Sequence, residues 1–367
     1  MEEAAGWTLD PGTLKPTVLD RALLQSQLDR ADPADRVLLL GLLGRFDEGF
    51  AEAEQVLAEP AVDPWQVLLL VGDLHRWRGD LAACDRYQVQ AWRHALTRTR
   101  QATTLQHVGL RWHDAGDLDR AAQHFELALT MRRGFTDPGT LAGSEQLLAQ
   151  VRGRLGYDAL VLAGGRGVRL GGRQLGAKAL IRLAGWPLAD HVLLAVAGAT
   201  SRIQVGPRRV AIGSPRLCAE QPPGGGPVAA IAAGLPHIRQ PLVAVLAGDL
   251  PFIAGALAEL RRPVATGAAD AALLVDLSGR ANYLAAVWRT EALREALVAL
   301  GDPVGAPVRA LYRRVEVATV PDFDGCSADV DTPADLRTAA DRISSRNPGG
   351  LPATPLAWPR LELHAPS

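Results

Sequence analysis

A run of strand-type residues that breaks into glycines constrains this chain more than any other feature. Tyr157-Asp158-Ala159-Leu160-Val161-Leu162 is followed by Ala163-Gly164-Gly165-Arg166-Gly167-Val168-Arg169-Leu170-Gly171-Gly172, and five of the nine residues from Gly164 to Gly172 are glycine. Without a Cβ the main chain stays open to a ligand, so successive N–H groups can wrap an anion. Arg166, Arg169 and the nearby Lys178 add full positive charges. A strand leading into a basic glycine loop describes a phosphate cradle, although the spacing is neither that of the P-loop nor that of the dinucleotide fingerprint. A plain surface loop would have the same glycine content, so the downstream sequence has to decide.

Composition sharpens one of those residues. Of 39 basic residues only Lys15 and Lys178 are lysine, so arginine serves wherever this chain needs charge alone. A lysine kept beside the glycines therefore points to a compact ammonium where a planar guanidinium does not fit. With a net charge of −1 and 48% hydrophobic residues over 367 positions, the chain reads as a soluble protein with room for two or three cores. No basic face suggests nucleic acid, and no apolar run approaches the ~20 residues of a membrane span. Met1-Glu2-Glu3 lacks the basic and apolar regions of a signal peptide. Cys84, Cys218 and Cys326 form no CxxC pair, so a cytoplasmic protein with reduced thiols is expected.

Residues 17–155 contain almost no strand signal and are rich in Ala, Leu and Arg. Gly44-Arg45-Phe46-Asp47, Gly79-Asp80-Leu81-Ala82 and Gly116-Asp117-Leu118-Asp119 recur at intervals of 35 and 37 residues. Around the third, Leu105, Val108, Gly109, Trp112, Ala121, Phe125 and Ala128 form a packing pattern. The second repeats it with Leu68, Val71, Gly72 and Ala91, while His75 takes an aromatic position and Cys84 a small one. The first keeps Gly49 and Ala53 at the small positions. This pattern resembles tetratricopeptide repeats and implies stacked helix hairpins, with Gly109 allowing close approach and Gly116-Asp117 turning and capping. Residues 140–154 read as a closing cap helix. The resemblance implies a partner peptide or protein bound by the array, a packing or dimerisation role being the alternative. His75, His94, His107, His113 and His124 have no ligand spacing, and no metal is expected in this half.

From residue 157 the pattern switches. Apolar runs at 157–163, 208–212, 242–248, 271–276 and 314–320 alternate with helix-like segments near 187–199, 227–238, 254–262, 290–300 and 333–343. Such alternation predicts a doubly wound, mostly parallel α/β sheet, with ligands beyond the carboxyl ends of its strands. The glycine loop lies at one such end. Leu246-Ala247-Gly248-Asp249-Leu250-Pro251-Phe252 places a carboxylate at another, and Asp329-Val330-Asp331-Thr332-Pro333 places two more before the last helix. Glu220-Gln221-Pro222-Pro223-Gly224-Gly225-Gly226-Pro227 precedes a helix N-terminus, a favourable place for an anion or a base edge. Asp331 and Asp335 also suit a helix N-cap and first turn.

Leu162-Ala163-Gly164-Gly165-Arg166 with Arg169, Gly171-Gly172 and Lys178 resembles the opening signature of nucleotidyltransferases of the molybdenum cofactor guanylyltransferase (MobA-like) type. Gly226-Pro227-Val228-Ala229-Ala230 is similar to their Gly-Pro-Leu-Ala-Gly segment. Gly248-Asp249-Leu250-Pro251 is similar to their metal-binding Asp-x-Pro, and Asp329 through Leu336 to their closing motif. The resemblance implies that Leu162, Ala163 and Gly164 touch base and sugar. It also implies that Gly165, Arg166, Gly171, Gly172, Gly226 and Pro227 complete the nucleotide site and that Arg169 and Lys178 hold the triphosphate. By the same resemblance Glu220 reads the base, Asp249 binds Mg²⁺, and Asp329 or Asp331 is the second metal-side carboxylate. Where the family commonly reads Gly-Gly-x-Asp-Lys, this chain inserts Arg173-Gln174-Leu175-Gly176-Ala177, and Ala230 replaces a frequent glycine.

The expected fold is a helical-hairpin array over 1–155 followed by an α/β nucleotidyltransferase domain over 156–345. Residues 346–367, from a Ser344–Ser367 stretch with five prolines, read as a disordered tail. The expected activity is transfer of a nucleoside monophosphate onto a phosphate acceptor, with Lys178, Arg169 and Asp249 as the catalytic set. By the same resemblance, Leu-Ala-Gly-Gly is the form of the family's guanylyl enzymes, which implies GTP as donor and molybdopterin as acceptor. A cytidylyl or sugar-phosphate transferase of the same fold, and a nucleotide-binding adaptor without turnover, remain open alternatives.

Overall fold

The computed structural model describes residues 6–134, 137–170, 177–206, 212–344 and Pro355. The chain divides into two units that part between Gln150 and Val151. Among the described residues no helix is long and apolar enough to cross a membrane.

The first unit opens with an antiparallel pair, β1 (Trp7–Leu9) and β2 (Pro16–Val18), and is otherwise helical. Its helices are α1 (Arg21–Leu28), α2 (Pro33–Leu42), α3 (Phe46–Ala58), α4 (Trp65–Trp77), α5 (Leu81–His94), α6 (Arg98–Asp114) and α7 (Leu118–Arg132). The helix α8 (Pro138–Leu155) follows and runs through the division between the units. The three repeated Gly-x motifs at 44, 79 and 116 fold as the turns of the pairs α2–α3, α4–α5 and α6–α7. Asp80 and Asp117 accept from Ala83 N and Arg120 N and so satisfy donors at the starts of α5 and α7. At Gly109 the helices meet so closely that a Cβ would lie 2.4 Å from the Phe125 ring, the close approach the spacing predicts. His75 sits between Phe50 and Tyr87, with ring centroids 4.6 and 5.3 Å away, and fills the aromatic position by stacking. Buried Arg76 pairs with Asp73 within α4 (3.1 Å) and with Asp114 (3.2 Å), and the second pair ties α4 to α6. In α8, expected as a closing cap helix, Leu147, Leu148 and Val151 are buried, while Glu145, Gln146 and Arg154 are exposed.

The second unit is built on β3 (Tyr157–Leu162), all six residues of which are buried. Its further strands are β4 (Arg182–Leu183), β5 (Trp186–Pro187), β6 (Arg202–Val205), β7 (Arg216–Cys218), β8 (Leu242–Ala247), β9 (Ala271–Val275), β10 (Ala281–Arg289) and β11 (Val317–Pro321). Seven of these make one sheet in the order β11-β9-β10-β8-β3-β6-β7, and β4 and β5 pair separately. β3 runs parallel to both β6 and β8; β10 alone runs antiparallel to its neighbours β8 and β9. The helices are α9 (Leu188–Ala195), α10 (Pro227–Gly234), α11 (Leu257–Ala265), α12 (Thr290–Leu300) and α13 (Pro333–Ser344).

Alternation along β3 splits the core into two. Tyr157, Ala159 and Val161 pack with Val192 and Leu193 of α9 and Leu257 and Leu260 of α11. Leu160 and Leu162 pack on the opposite face with Val228 and Ile231 of α10 and Leu293 of α12. Each large apolar side chain buried this way contributes about 1.5–3 kcal/mol, which makes the central strand the best-fixed part of the unit. Asp158, in the middle of this apolar run and fully buried, accepts from Ser201 N (2.8 Å), Arg239 N (2.7 Å) and Gln240 N (3.0 Å). Its carboxylate thereby fastens two loops at the amino end of the sheet, opposite the glycine end of β3.

In the main sheet β6, β7 and β10 were not expected. Of the run expected as a strand at 208–212, residues 208–211 lie outside the described residues; β6 is disguised as polar by Arg202 and Gln204. β10 went unread because it departs from the parallel alternation and carries a register shift between Asn282 and Ala286. Of the segment expected as a disordered tail, only Pro355 is described.

Candidate active site

β3 ends at Leu162, and its chain then bends through the glycines and back along Lys178. Lys178 N donates to Gly165 O at 3.2 Å. Gly167 has φ +62°, and a Cβ there would stand 3.1 Å from Lys178 Cα, so this fold-back requires glycine. The longer segment before Lys178 thus does not carry the lysine away from the loop. Gly171, Gly172 and Arg173 through Gly176 lie outside the described residues.

β8 runs beside β3 and delivers Asp249 to the same end. The Lys178 ammonium reaches Asp249 Oδ2 on one side and Asp331 Oδ1 on the other, with Lys178 and Asp249 side chains only 14% and 15% exposed. Burial pulls the lysine pKa down, but the two facing carboxylates outweigh it and hold the pKa above its ordinary value. Burial lifts the Asp249 carboxyl above the usual carboxylate range; Lys178 opposes this, while Asp329 and Asp331 add to it. Asp249 Oδ1 is buried without a hydrogen-bond partner. Arg169 lies exposed, 3.7 Å from Asp331 Oδ2.

The Asp331 loop is held from both directions. Val330 N donates to Asp249 O at 3.2 Å, joining the two carboxylate loops through the backbone. Asp335 accepts from Asp331 N (3.1 Å) and Thr332 N (2.7 Å), and Thr332 Oγ1 accepts from Asp335 N (3.2 Å). This reciprocal pair is a capping box at the start of α13, which assigns Asp335 to the helix and leaves Asp331 for Lys178.

Beside these charges lies a cavity of about 430 Å³. Its lining includes Leu162, Ala163, Gly164, Gly165, Arg166, Lys178, Glu220, Gly226, Pro227 and Asp249 from the expected set. The structure therefore gathers these ten in one place, with Asp331 at the lysine and Arg169 beside Asp331. Asp329 is exposed and lines a neighbouring cavity instead. Glu220 faces Gly164, its Oε1 accepting from Gly224 N at 2.9 Å, and Pro227 opens α10 at the cavity wall. Ala179 and Leu284 also line it without having been named from the sequence. Leu284 comes from β10, and the apolar stretch Leu284–Trp288 was the signal for it.

The expected metal set of Asp249, Asp329 and Asp331 is not assembled as three ligands. Among the described residues no group of three or more His, Cys, Asp and Glu side chains is placed to hold a metal ion. The physical reason is Lys178, whose ammonium stands between two of the three carboxylates, while the third faces another cavity. The remaining pair still fits a divalent cation. Asp249 offers a buried, unpartnered oxygen whose burial is relieved by positive charge, and Mg²⁺ is ordinarily held by one or two carboxylates plus substrate phosphates.

The MobA-like NTP transferase domain matches residues 159–319. The chain is 36% identical over 97 residues to a molybdenum cofactor guanylyltransferase of Bordetella petrii, covering 25% of this chain and 48% of that relative, about half its length. It is 32% identical over 166 residues to a molybdenum cofactor guanylyltransferase of Burkholderia lata, covering 42% of this chain and 78% of that one. The solved 2-C-methyl-D-erythritol 4-phosphate cytidylyltransferase of Thermus thermophilus aligns with a TM-score of 0.38 at 19% identity, covering 51% of this chain and 98% of that chain. The matched domain begins inside β3 and ends inside β11, and the Burkholderia relative is followed along 78% of its length; the chain belongs to the MobA-like NTP transferase family.

Proposed function

We propose that the second unit transfers a nucleoside monophosphate, GMP from GTP, onto the phosphate of molybdopterin and releases pyrophosphate. The observation that carries this reading is Lys178, held between Asp249 and Asp331 at the edge of a cavity walled by the glycine loop. In the reaction an acceptor phosphate oxygen bonds to the nucleotide α-phosphorus and the bond to the β-phosphate oxygen breaks. Negative charge grows on the leaving oxygens, so positioning and cationic stabilisation supply the catalysis.

The residues divide the work. The N–H groups of Gly164 and Gly165 and the start of α10 receive phosphate or base edges. Glu220, steadied by Gly224 N, offers a carboxylate that accepts from the donor edge of guanine. Lys178 and Arg169 bring positive charge to the triphosphate. Asp249 and Asp331 would hold Mg²⁺, which supplies charge neutralisation at the phosphate oxygens when bound. The helical unit contributes none of these groups; its proposed role is to bind a partner protein, as stacked hairpins commonly do. Free Cys84, Cys218 and Cys326 suit a reducing cytoplasm.

Pyrophosphate release measured with GTP, CTP, ATP and UTP, each with and without molybdopterin, tests the reading. Release with GTP that requires molybdopterin is expected. Release with CTP, or none with any pair while GTP still binds, would replace this reading by the cytidylyl or the adaptor alternative.

A further inference from the structure

The two loops that carry Asp249 and Asp331 meet at one arginine of α13. Phe252 follows Asp249 by three positions, and the Arg342 guanidinium carbon stacks over its ring, 3.8 Å from the centroid. Arg342 Nη1 also donates to Gly325 O at 2.8 Å, on the loop that leads into Asp331. That loop is pre-shaped by Asp322, which accepts from Cys326 N (2.7 Å) and Ser327 N (2.7 Å). Beneath it, Val330 packs with Ala339 and Ile343 of α13, and Phe252, Ile181 and Leu170 pack against the same cluster. Each of these apolar neighbours is within three residues of a charged group of the site: Leu170 of Arg169, Ile181 of Lys178, Phe252 of Asp249 and Val330 of Asp331.

We infer that Arg342 is a positioning residue that locks the Asp249 and Asp331 loops in register, so that one cation can be shared between their carboxylates. A guanidinium can do both tasks at once, because its face stacks on an aromatic ring while its edge donates to a carbonyl. An ammonium at the same place keeps charge and one hydrogen bond but not the planar stack. Arg342 does not line the cavity that faces Glu220, so its loss should be felt at the carboxylate pair more than in nucleotide recognition. The catalytic consequence rests on the proposed transferase reading; the clamp itself does not.

Cys326 provides a reporter independent of turnover. It is 5% exposed, lies next to Gly325, and its Sγ would be 2.9 Å from a Cβ on Gly255. The full-length chain is compared with Arg342→Ala, Arg342→Lys and Phe252→Leu, with exposed Arg337→Ala as the control. A thiol reagent is followed by peptide mass, and Mn²⁺ half-saturation of pyrophosphate release is measured alongside KM for the nucleotide. For Arg342→Ala, Cys326 should label about tenfold faster and Mn²⁺ half-saturation should rise about tenfold, with nucleotide KM within about twofold. Arg342→Lys and Phe252→Leu should fall between it and the parent, and Arg337→Ala should match the parent. Because Arg342 also touches the Cys326 thiol directly, Phe252→Leu decides the labelling: unchanged Cys326 labelling in Phe252→Leu, or equal rises in Mn²⁺ half-saturation and nucleotide KM in Arg342→Ala, would overturn the inference. If Arg342→Ala does not fold, the other two variants decide by the same measures. If the parent turns over no nucleotide, the transferase reading fails while Cys326 labelling still decides the clamp.

Discussion

At the scale of single residues, Asp249 and Lys178 are separable by what they do to stability. Burial raises the Asp249 carboxyl pKa, so the fold favours its neutral form. The stability tied to this group is present at low pH and lost as pH rises through the raised value. Asp249→Asn cannot ionise and escapes that loss, so at pH 7 its melting temperature should equal or exceed the parent's. Turnover should drop about a hundredfold or more, because the amide brings no charge to the proposed cation site. Thermal melts beside steady-state rates check both halves; a folded variant with parental turnover would remove Asp249 from the site. Lys178→Arg should lower turnover about tenfold although charge is kept, and Lys178→Ala should lower it further. Equal rates for Lys178→Arg and the parent would make the lysine a structural counter-charge only. Lys178 was legible because, Lys15 apart, the chain uses arginine; Asp158 was not, since a carboxylate accepting three backbone N–H groups looks like any acid in the sequence.

At the scale of elements, two helix glycines predict opposite outcomes. A Cβ at Gly109 in α6 would meet the Phe125 ring at 2.4 Å, whereas one at Gly153 in α8 would meet nothing within 4 Å. Gly109→Ala should therefore destabilise the helical unit by about 1–3 kcal/mol through overpacking, while Gly153→Ala should be neutral or stabilise by up to about 1 kcal/mol. Urea denaturation of the two variants checks this, and equal effects would mean α6 and α7 pack less closely than described. The helices were readable because their caps, turns and apolar spacing agree. The sheet was read through its parallel members, whose apolar runs stand alone. β10 was hidden because an antiparallel strand entering a parallel sheet obeys no crossover spacing, and Leu284 was hidden with it. Position in the fold, and not residue type, made it part of the cavity.

At the scale of the whole molecule, the units part inside α8, four residues and more before its end at Leu155. Arg152 Nε donates to Ala197 O at 2.9 Å within the second unit, so a cut at 155 removes a bond that unit uses. Residues 138–345, which keep α8 whole, should fold and bind nucleotide, and residues 156–345 should melt lower; the reverse order would contradict the division. Acid should act on each unit through one buried histidine. Burial depresses His124 in the first unit and His191 in the second to about 4. A depressed pKa gives stability that is present above the unfolded value and lost as pH falls toward the folded one. Each should therefore cost about 2 kcal/mol between pH 7 and pH 5. Melts of the 138–345 fragment and of its His191→Gln variant at those two pH values isolate His191, since Asp249 acts alike in both, and the same pH dependence in the two would show that the ring is not buried as described.

The lysine bridge also sets how ligands must influence one another. In the resting chain Asp249 and Asp331 already share the Lys178 ammonium, and on the proposed reading a divalent ion would have to compete with it. A triphosphate that draws the ammonium toward its oxygens lifts that competition, so each ligand lowers the free energy of admitting the other. Such coupling is reciprocal by thermodynamic necessity. The factor by which Mn²⁺ tightens nucleotide binding must equal the factor by which nucleotide tightens Mn²⁺, and both should shrink together in Lys178→Ala.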